Sequence, residues 1–255
     1  MRRAVAVGLV LCLMIGAIVL VGLGPDIFPQ TMFHYEQTIS SDAEGSLAFG
    51  VYSFVDCEVE ISILNDPELL YEVDLELRRH GDEGVDFKIV FDEINNHRTL
   101  AVHAEDSPDI ARKITINVGN ALQILTLGVR GHNLTSSILL TNSAILNGST
   151  IFCDDIEDIS GSLDLRVANS LRATGDVDFR IQRISTVNLI VNLPQNVSGG
   201  MTLSYVDSID VSAGGWQYAP LPDGRPSYVT ENMAETHFFF DIWECHSVVA
   251  NLVAY

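Results

Sequence analysis

Three segments in the middle of the chain can be laid over one another: residues 138–146 (ILLTNSAIL), 163–171 (LDLRVANSL) and 179–187 (FRIQRISTV). Each places a polar corner, Asn-Ser or Ile-Ser, between two short apolar runs, and residues 121–213 show almost no helical periodicity. A corner that recurs between strands of similar length is typical of a stacked β-solenoid, because each coil buries its inner side chains only against neighbouring coils. The copies are degenerate and unevenly spaced, so an ordinary antiparallel sandwich also fits this stretch.

Period-two alternation dominates the preceding part of the chain. Residues 57–63 (CEVEISI) and 71–77 (YEVDLEL) place apolar side chains on one face and acids on the other, which indicates half-buried antiparallel strands. Residues 33–104 therefore predict a sandwich or meander of about six strands. Ser107-Pro108-Asp109 combines a capping residue, a proline and an early acid, which predicts a short helical turn over 108–112.

The C-terminal part, residues 214–255, begins with a loop rich in glycine and proline. Residues 237–243 (HFFFDIW) and 247–255 (SVVANLVAY) then form two runs that are apolar enough for buried strands. We expect them to close the fold beside an early strand. The alternative is an exposed aromatic edge that pairs with a partner subunit.

Residues 4–23 (AVAVGLVLCLMIGAIVLVGL) form an uncharged apolar run directly after two arginines. At about 1.5 Å per residue such a helix reaches about 30 Å, which spans a bilayer core, and the arginines predict that the N-terminus stays inside. A cleaved signal peptide is the alternative, but Pro25 directly after the small residues would hinder cleavage. We therefore expect residues 1–24 to be an uncleaved transmembrane anchor.

The anchor and the strand patterns together predict the domain organisation of an all-β protein behind one membrane helix. Residues 25–32 form a stalk, and residues 33–255 form an extracytoplasmic domain at the cell surface. Within that domain a meander or sandwich (33–104) runs into a solenoid-like part (114–213), and the loop and closing strands of 214–255 follow.

The chain is strongly acidic, with 34 acidic against 14 basic residues and a formal net charge of −20. Phosphate backbones are bound by basic surfaces, so this charge argues against a nucleic-acid partner.

Asp154, Asp155, Glu157 and Asp158 form the densest acidic group, beside a Ser-Gly turn. Calcium takes six to eight oxygen ligands, and one loop with several carboxylates supplies part of such a shell. A solvated acidic turn explains the same residues. We therefore expect no cofactor, with calcium as the one candidate that these residues offer.

Three asparagines, Asn133, Asn147 and Asn196, satisfy the N-glycosylation pattern, which has meaning only for an outward-facing segment. Ordinary polar turns explain these triplets equally well.

Cys12 lies inside the apolar run, which leaves three cysteines outside it. In an oxidising compartment these three allow one disulfide with one thiol left over, and three buried reduced cysteines are the alternative. Cys57 and Cys245 lie near the two ends of the folded segment and are our first choice for the disulfide.

The short strands with polar corners at Asn142-Ser143 and Asn169-Ser170, behind a single anchoring helix, resemble the putative-adhesin β-solenoid proteins of bacterial and archaeal surfaces. The resemblance covers residues 114–213, and that family is a domain of unknown function. It implies a solenoid fold and a cell-surface setting, and it brings no catalytic residues.

The sequence contains no nucleophile elbow, zinc-protease, phosphate-loop, dinucleotide or Cys-x-x-Cys motif. We therefore expect a non-enzymatic, membrane-anchored surface or envelope protein with a structural or adhesin-like role. One alternative is an extracytoplasmic protein that binds or cleaves carbohydrate. Another is the partner-binding ectodomain of an envelope complex. Exposed aromatic side chains in a row on one sheet face would favour glycan binding, and two acids converging in a cleft would favour cleavage.

Overall fold

The structure, a computed structural model, describes residues 32–40, 46–53, 58–78, 88–94, 97–104, 110–119, 123–140, 144–156, 158–168, 172–173, 175–232 and 234–254. The described residues contain eighteen strands and no helix. No helix long and apolar enough to cross a bilayer is therefore found among them. The predicted anchor, residues 1–24, and residues 25–31 of the predicted stalk lie outside the described residues, whereas Met32 begins a strand.

The strands are β1 (Met32–Ser40), β2 (Ser46–Ser53), β3 (Glu58–Leu64), β4 (Leu69–Arg78), β5 (Lys88–Ile94), β6 (His97–Ala104), β7 (Ile110–Gly119), β8 (Gln123–Gly131), β9 (Thr135–Leu140), β10 (Ala144–Asp155), β11 (Ser160–Val167), β12 (Arg172–Ala173), β13 (Val177–Gln182), β14 (Ile184–Leu193), β15 (Val197–Gly214), β16 (Trp216–Tyr218), β17 (Ser227–Thr230) and β18 (Thr236–Ala254).

Most of these strands join two parallel series that run side by side. The first ladder has the order β6, β2, β8, β10, β13, β18, β15, and only the first halves of β18 and β15 belong to it. The second ladder has the order β7, β3, β9, β11, β14, β18, β15, and it contains the second halves of the same two strands. Each ladder is therefore seven parallel strands deep.

Side chains that share a register position stack from strand to strand inside each ladder. In the first ladder one inner row consists of side chains that are at most 2% exposed: Leu127, Ile151, Phe179, Phe240 and Met201. Because successive strand residues point to opposite faces, the residues between these positions form the outer face. The core thus consists of rows of apolar side chains that run across the strands of each ladder.

The chain passes from the first ladder to the second at corners with left-handed backbone. Asn133, Arg183, Tyr205 and Glu244 have φ of 47°, 57°, 55° and 54°. Arg183 connects β13 to β14, while Tyr205 and Glu244 bend β15 and β18 in mid-strand. Few L-residues adopt this conformation, which turns the chain within a single residue.

Antiparallel strands flank the parallel series at both ends. At one end β4 pairs with β7 and β5 pairs with β6. At the other end β17 pairs with the first half of β15, and β16 pairs with β17. The described residues from Phe33 onward belong to one unit.

These pairings correct three predictions. The pairing expected for the meander or sandwich over 33–104 needs correction, because β2 and β3 pair in parallel with β8 and β9 of the following part. The predicted antiparallel pairing of residues 57–63 is also wrong, whereas β4 is antiparallel as expected. Alternation reports which face is buried and not the direction of the neighbouring strand. Residues 110–112 belong to β7 instead of a helical turn, and 108–109 lie outside the described residues.

The C-terminal strand also differs from its prediction. β18 does not close the fold beside an early strand, and it is not an exposed edge: it lies between β13 and β14 on one side and β15 on the other. Its aromatic run is buried only at alternate positions. Phe238 and Phe240 are at most 1% exposed, whereas Phe239 is 45% and Trp243 44% exposed.

Candidate ligand-binding groove

A groove of about 610 Å³ lies on the outer face of the first ladder, where β13, β18 and β15 run in parallel. Its floor is a grid of outward-facing residues set by the registers of the three strands. The grid has three rows across the strands: Asp178, Phe239 and Gly200; Arg180, Asp241 and Thr202; Gln182 and Trp243. Ser204, which is in register with Trp243, is buried and does not line the groove.

Two exposed aromatic rings stand in the central column of this grid. Phe239 and Trp243 are four residues apart on β18, which places their Cα atoms about 13 Å apart at about 3.3 Å per residue. The indole Nε1 of Trp243 donates a hydrogen bond to Asp241 Oδ1 at 2.6 Å. The ring of Phe239 stacks on His237, with centroids 5.8 Å apart. The positions of both rings are therefore held by neighbours on their own strand.

Gly200 leaves the side of Phe239 uncovered. A Cβ atom at Gly200 would lie 3.7 Å from Phe239 Cδ1, an ordinary contact, and Gly200 does not have a positive φ. The backbone therefore does not require glycine here, and the absent side chain leaves the ring accessible from the β15 side.

One wall of the groove is the loop between β16 and β17, which contributes Leu221 and Arg225. Arg225 Nη1 donates to Ser204 Oγ at 3.1 Å, and Leu203 N donates to Pro226 O at 3.0 Å. The Arg225 backbone N–H and guanidinium bind Asp223, and they hold the pKa of its carboxyl below the usual range. These contacts fasten the loop to β15.

The charged residues that line the groove are two arginines, Arg180 and Arg225, and two aspartates, Asp178 and Asp241, although the chain as a whole is strongly acidic. Arg180 Nη2 lies 3.3 Å from Asp178 Oδ2, and Arg225 Nε lies 2.8 Å from Asp223 Oδ2. Each arginine therefore has a carboxylate at its side, and Asp241 accepts the hydrogen bond of Trp243. Gln182 and Thr202 add groups that both donate and accept hydrogen bonds.

The four acids of the predicted calcium loop are not brought together. Asp154 is on the outer face, within 3.2 Å of Arg130 Nε and 2.9 Å of Arg183 Nη2. Asp155 is 2% exposed and points the other way. Asp158 is exposed, and Glu157 lies outside the described residues. The part of the chain that the structure describes holds no group of three metal-binding side chains, so calcium stays a prediction without geometric support.

Asp155 instead joins two neighbouring corners. Its Oδ2 accepts hydrogen bonds from Asn133 N at 2.9 Å and Ser160 Oγ at 2.5 Å, and its Oδ1 accepts one from Asp158 N at 3.3 Å. Buried carboxylates are stable only when such donors compensate the loss of water. Its environment therefore indicates a structural role.

The glycosylation sites stay predictions, and the structure gives the positions of two. Asn133 and Asn196 are exposed, at a corner and in a turn. Asn133 Oδ1 accepts a hydrogen bond from Gly161 N at 3.2 Å, so its amide also supports the corner. Asn147 lies in β10, and the structure does not describe its side chain.

Cys245 is a buried free thiol, as is Cys153. Cys57 lies outside the described residues, so the Cys57–Cys245 disulfide stays a prediction.

Ser198 and His237 form a contact that resembles part of a catalytic triad. Ser198 Oγ meets His237 Nδ1, but the serine is only 4% exposed, and its Oγ also lies 3.3 Å from Thr236 O. A nucleophile has to reach its substrate, so we interpret this contact as structural.

No family model and no curated protein matches the chain. A crystal structure of a putative cell adhesion protein from Clostridium sporogenes is similar, with a TM-score of 0.63, 10% identity, and coverage of 88% of this chain and 100% of that one. A putative adhesin from Bacteroides fragilis, at 10% identity, covers 88% of this chain and 98% of its own, but its TM-score of 0.22 carries no argument. At 10% identity the first likeness shows the fold alone.

Sequence reasoning missed the groove. The available signal was the single alternation at residues 237–243, where Asp241 interrupts an aromatic run at an outward position. An acid between apolar neighbours places residues two positions away on the same exposed face, which would have assigned Phe239 and Trp243 to the surface.

Proposed function

We propose that the protein is a membrane-anchored, outward-facing, non-enzymatic surface protein with an adhesin-like role, and that its fold is a short β-solenoid of seven coils. The two ladders of parallel strands carry this proposal. Each pair of strands around a corner makes one coil, and the coils are stacked at about 4.8 Å. Such stacks present long side surfaces, which repeat proteins use for binding.

The likeness to the cell adhesion protein supports this proposal at the level of fold, because it extends over the whole of that chain. The setting is supported by the apolar run of residues 4–23 after two arginines. The outer face of the second ladder is rich in short polar side chains such as Thr186, Asn188 and Asn192, which suits a solvated surface.

The absence of enzymatic activity is part of the proposal. Asp178 and Asp241 lie on adjacent strands of the groove, two residues out of register. Carboxylates at about 5 to 9 Å can cleave glycosidic bonds. Asp178 is paired with Arg180 and Asp241 with Trp243, so neither is placed as a free acid or base.

Fractionation of cells that express the full-length chain with a C-terminal tag tests the location. We expect the chain to stay in carbonate-washed membranes and its tag to be removed by protease added to intact cells. A double variant, Leu11→Arg and Val19→Arg, should release the chain from the membrane, because arginine at a helix centre costs about 3 kcal/mol of insertion energy. Leu11→Ala with Val19→Ala is the matched control.

A soluble product that begins near Pro25, or a tag that protease cannot reach, would contradict the anchored, outward-facing location. Adhesion is tested separately: cells that display the wild-type chain should aggregate, or attach to surfaces, more than cells that carry the arginine variant. Equal attachment would contradict the adhesin-like role while leaving the location intact.

A further inference from the structure

We propose that the groove around Phe239 and Trp243 is a binding site for a neutral oligosaccharide. This inference names a ligand class for the proposed adhesin-like role and rests on that role for the place where the ligand is met. The binding itself can be measured on the purified chain, independently of any cell.

Aromatic rings with one free face are the first reason. The face of an aromatic ring carries negative charge density, which attracts the weakly positive C–H groups on the apolar face of a sugar ring. Phe239 and Trp243 are 45% and 44% exposed, whereas Phe238 and Phe240 on the same strand are at most 1% exposed. Since they lie about 13 Å apart, one sugar ring cannot cover both, and the groove fits a chain of several sugars.

The polar groups between and beside the rings suit hydroxyl groups. Asp241 lies between the two rings on β18, with Arg180 and Thr202 at its sides, and Gln182 lies beside Trp243. A sugar hydroxyl both donates and accepts hydrogen bonds, and this set offers acceptors, donors and groups that do both. A lipid chain would leave these polar groups without partners.

Charge balance selects a neutral ligand. Arg180 and Arg225 are both paired with aspartates, at 3.3 Å and 2.8 Å. An anionic glycan or a nucleic acid would have to displace those carboxylates and approach a chain of net charge −20. A cationic ligand would have to compete with these arginines for Asp178 and Asp223, and Asp241 already accepts the hydrogen bond of Trp243.

A peptide fits less well, because peptides that join sheets bind along an unpaired edge. The groove lies on the face of strands whose backbones are already paired on both sides: β18 with β13 and β15, and β15 with β18 and β17. A ligand here can use side chains only, and this is the mode of recognition that a sugar requires.

Binding is tested on the full-length chain in octaethylene glycol monododecyl ether, a detergent without a sugar headgroup. The probes are cellohexaose, laminarihexaose, maltohexaose, mannohexaose and chitohexaose. Hexagalacturonic acid serves as the acidic comparison and an unstructured Gly/Ser/Thr peptide as the peptide comparison. Of the two tryptophans, Trp216 is 6% and Trp243 44% exposed, so a bound sugar should change the fluorescence of Trp243.

At least one neutral hexasaccharide should bind, and Trp243→Ala or Phe239→Ala should weaken its binding at least tenfold, as followed by saturation-transfer NMR. Gly200→Leu should have the same effect by filling the space beside Phe239, with both rings kept. Val249→Ala is the matched control, since Val249 is an equally exposed apolar residue of β18 outside the groove. Its affinity should stay within twofold of wild type.

The proposal is overturned if none of the five neutral sugars binds, if only the acidic sugar or the peptide binds, or if the groove variants bind like the Val249→Ala control. Release of shorter sugars during incubation would overturn the non-enzymatic part of the proposed function and leave the site in place. A chain that binds sugar but is protected from protease on intact cells would contradict only the surface location.

Discussion

β15 and β18 run side by side through both ladders, and their first and second halves meet different surroundings. The first half of β15 pairs along its other edge with antiparallel β17, and Trp216 packs against Gly199 of β15. The second half, residues 206–214, pairs with β18 only, and among the described residues no strand covers its other edge. Inward-facing residues record the difference: Leu203 is 1% exposed, whereas Ile209 is 37% exposed.

The burial of an inward-facing residue in a stack therefore depends on the next coil as well as on strand alternation. Ile209 occupies an inward register position opposite Val248, which is fully buried. It is partly exposed because nothing in the described part of the chain lies beyond it. A terminal coil of any stack needs a cap to bury its inner row, and within the described part of the chain only the first half has one.

The largest effect is expected from a substitution in the first half of β15, which pairs with β17. Leu203→Lys would place a charge among buried apolar side chains without a partner, which should cost about 4 kcal/mol or more and prevent stable folding. Ile209→Lys should cost about 1 kcal/mol or less, because a lysine stem can cover apolar surface while its ammonium stays in water. Urea unfolding of the full-length chain measures both. Similar costs would show that the second half is covered in solution.

A second comparison separates the two faces of β18. Phe240 stacks on Phe179 with centroids 4.3 Å apart and is 1% exposed, so Phe240→Ala should destabilise the chain by about 3 to 5 kcal/mol. Phe239→Ala, one residue away, should cost about 1 kcal/mol or less because that ring lies in the groove. Thermal unfolding by circular dichroism reports both values. If the order is reversed, the assignment of inner and outer positions on β18 is wrong.

Two glycines of β15 sharpen the contrast in capping. A Cβ at Gly199 would lie 2.2 Å from Trp216 Cη2 and 2.7 Å from Leu193 Cδ1, whereas one at Gly214 would meet only Leu252 O at 3.8 Å. Gly199→Ala should therefore cost about 1 to 3 kcal/mol, and Gly214→Ala should be neutral or stabilising by about 0.5 kcal/mol.

Fluorescence in a Trp243→Phe background provides an independent readout for this prediction. Gly199→Ala should shift the emission of Trp216 toward longer wavelength, since the indole has to move away from the core. An unchanged spectrum together with unchanged stability would mean that Trp216 does not cap β15 in solution.

The smallest expected effect concerns two buried thiols. Burial raises the pKa of Cys153 to about 12 and that of Cys245 to about 11, from an ordinary 9.0. The unfolded chain therefore loses these protons above pH 9 while the folded chain retains them. Stability from this source is complete below pH 9 and falls as the pH rises toward 11 to 12, by about 1 kcal/mol per thiol at pH 10.

Urea unfolding at pH 8 and pH 10 checks this, with a Cys153→Ala, Cys245→Ala double variant as the control. The control should lose less stability between the two pH values than the wild type, because its other titrating groups are the same. Equal losses would refute the contribution of the thiols. Cys153 lies in the first ladder and Cys245 opens the second half of β18, so the two single variants show which half loses more.

Some features of the fold could be predicted because they depend on local pattern. The acids of residues 58–76 were expected on an outer face, and there Lys113 lies within 3.3 Å of Glu58 and 2.9 Å of Glu60. The all-β class of the described residues followed from the same alternation. The position of β18 could not be predicted this way, because its partners β13 and β14 are distant in sequence and its pattern fits any neighbour of the same period.

The sequence by itself determined that the described part is made of strands and, where apolar and polar residues alternate, which residues face inward, as at Val187, Leu189 and Val191 of β14. The physical reason is that period-two alternation encodes burial within one strand. Only the tertiary structure decided which strands lie beside each other and in which direction. The groove of Phe239, Asp241 and Trp243 exists because β13, β18 and β15 meet in one register, and pairing between distant segments leaves no mark in the periodicity of any one of them.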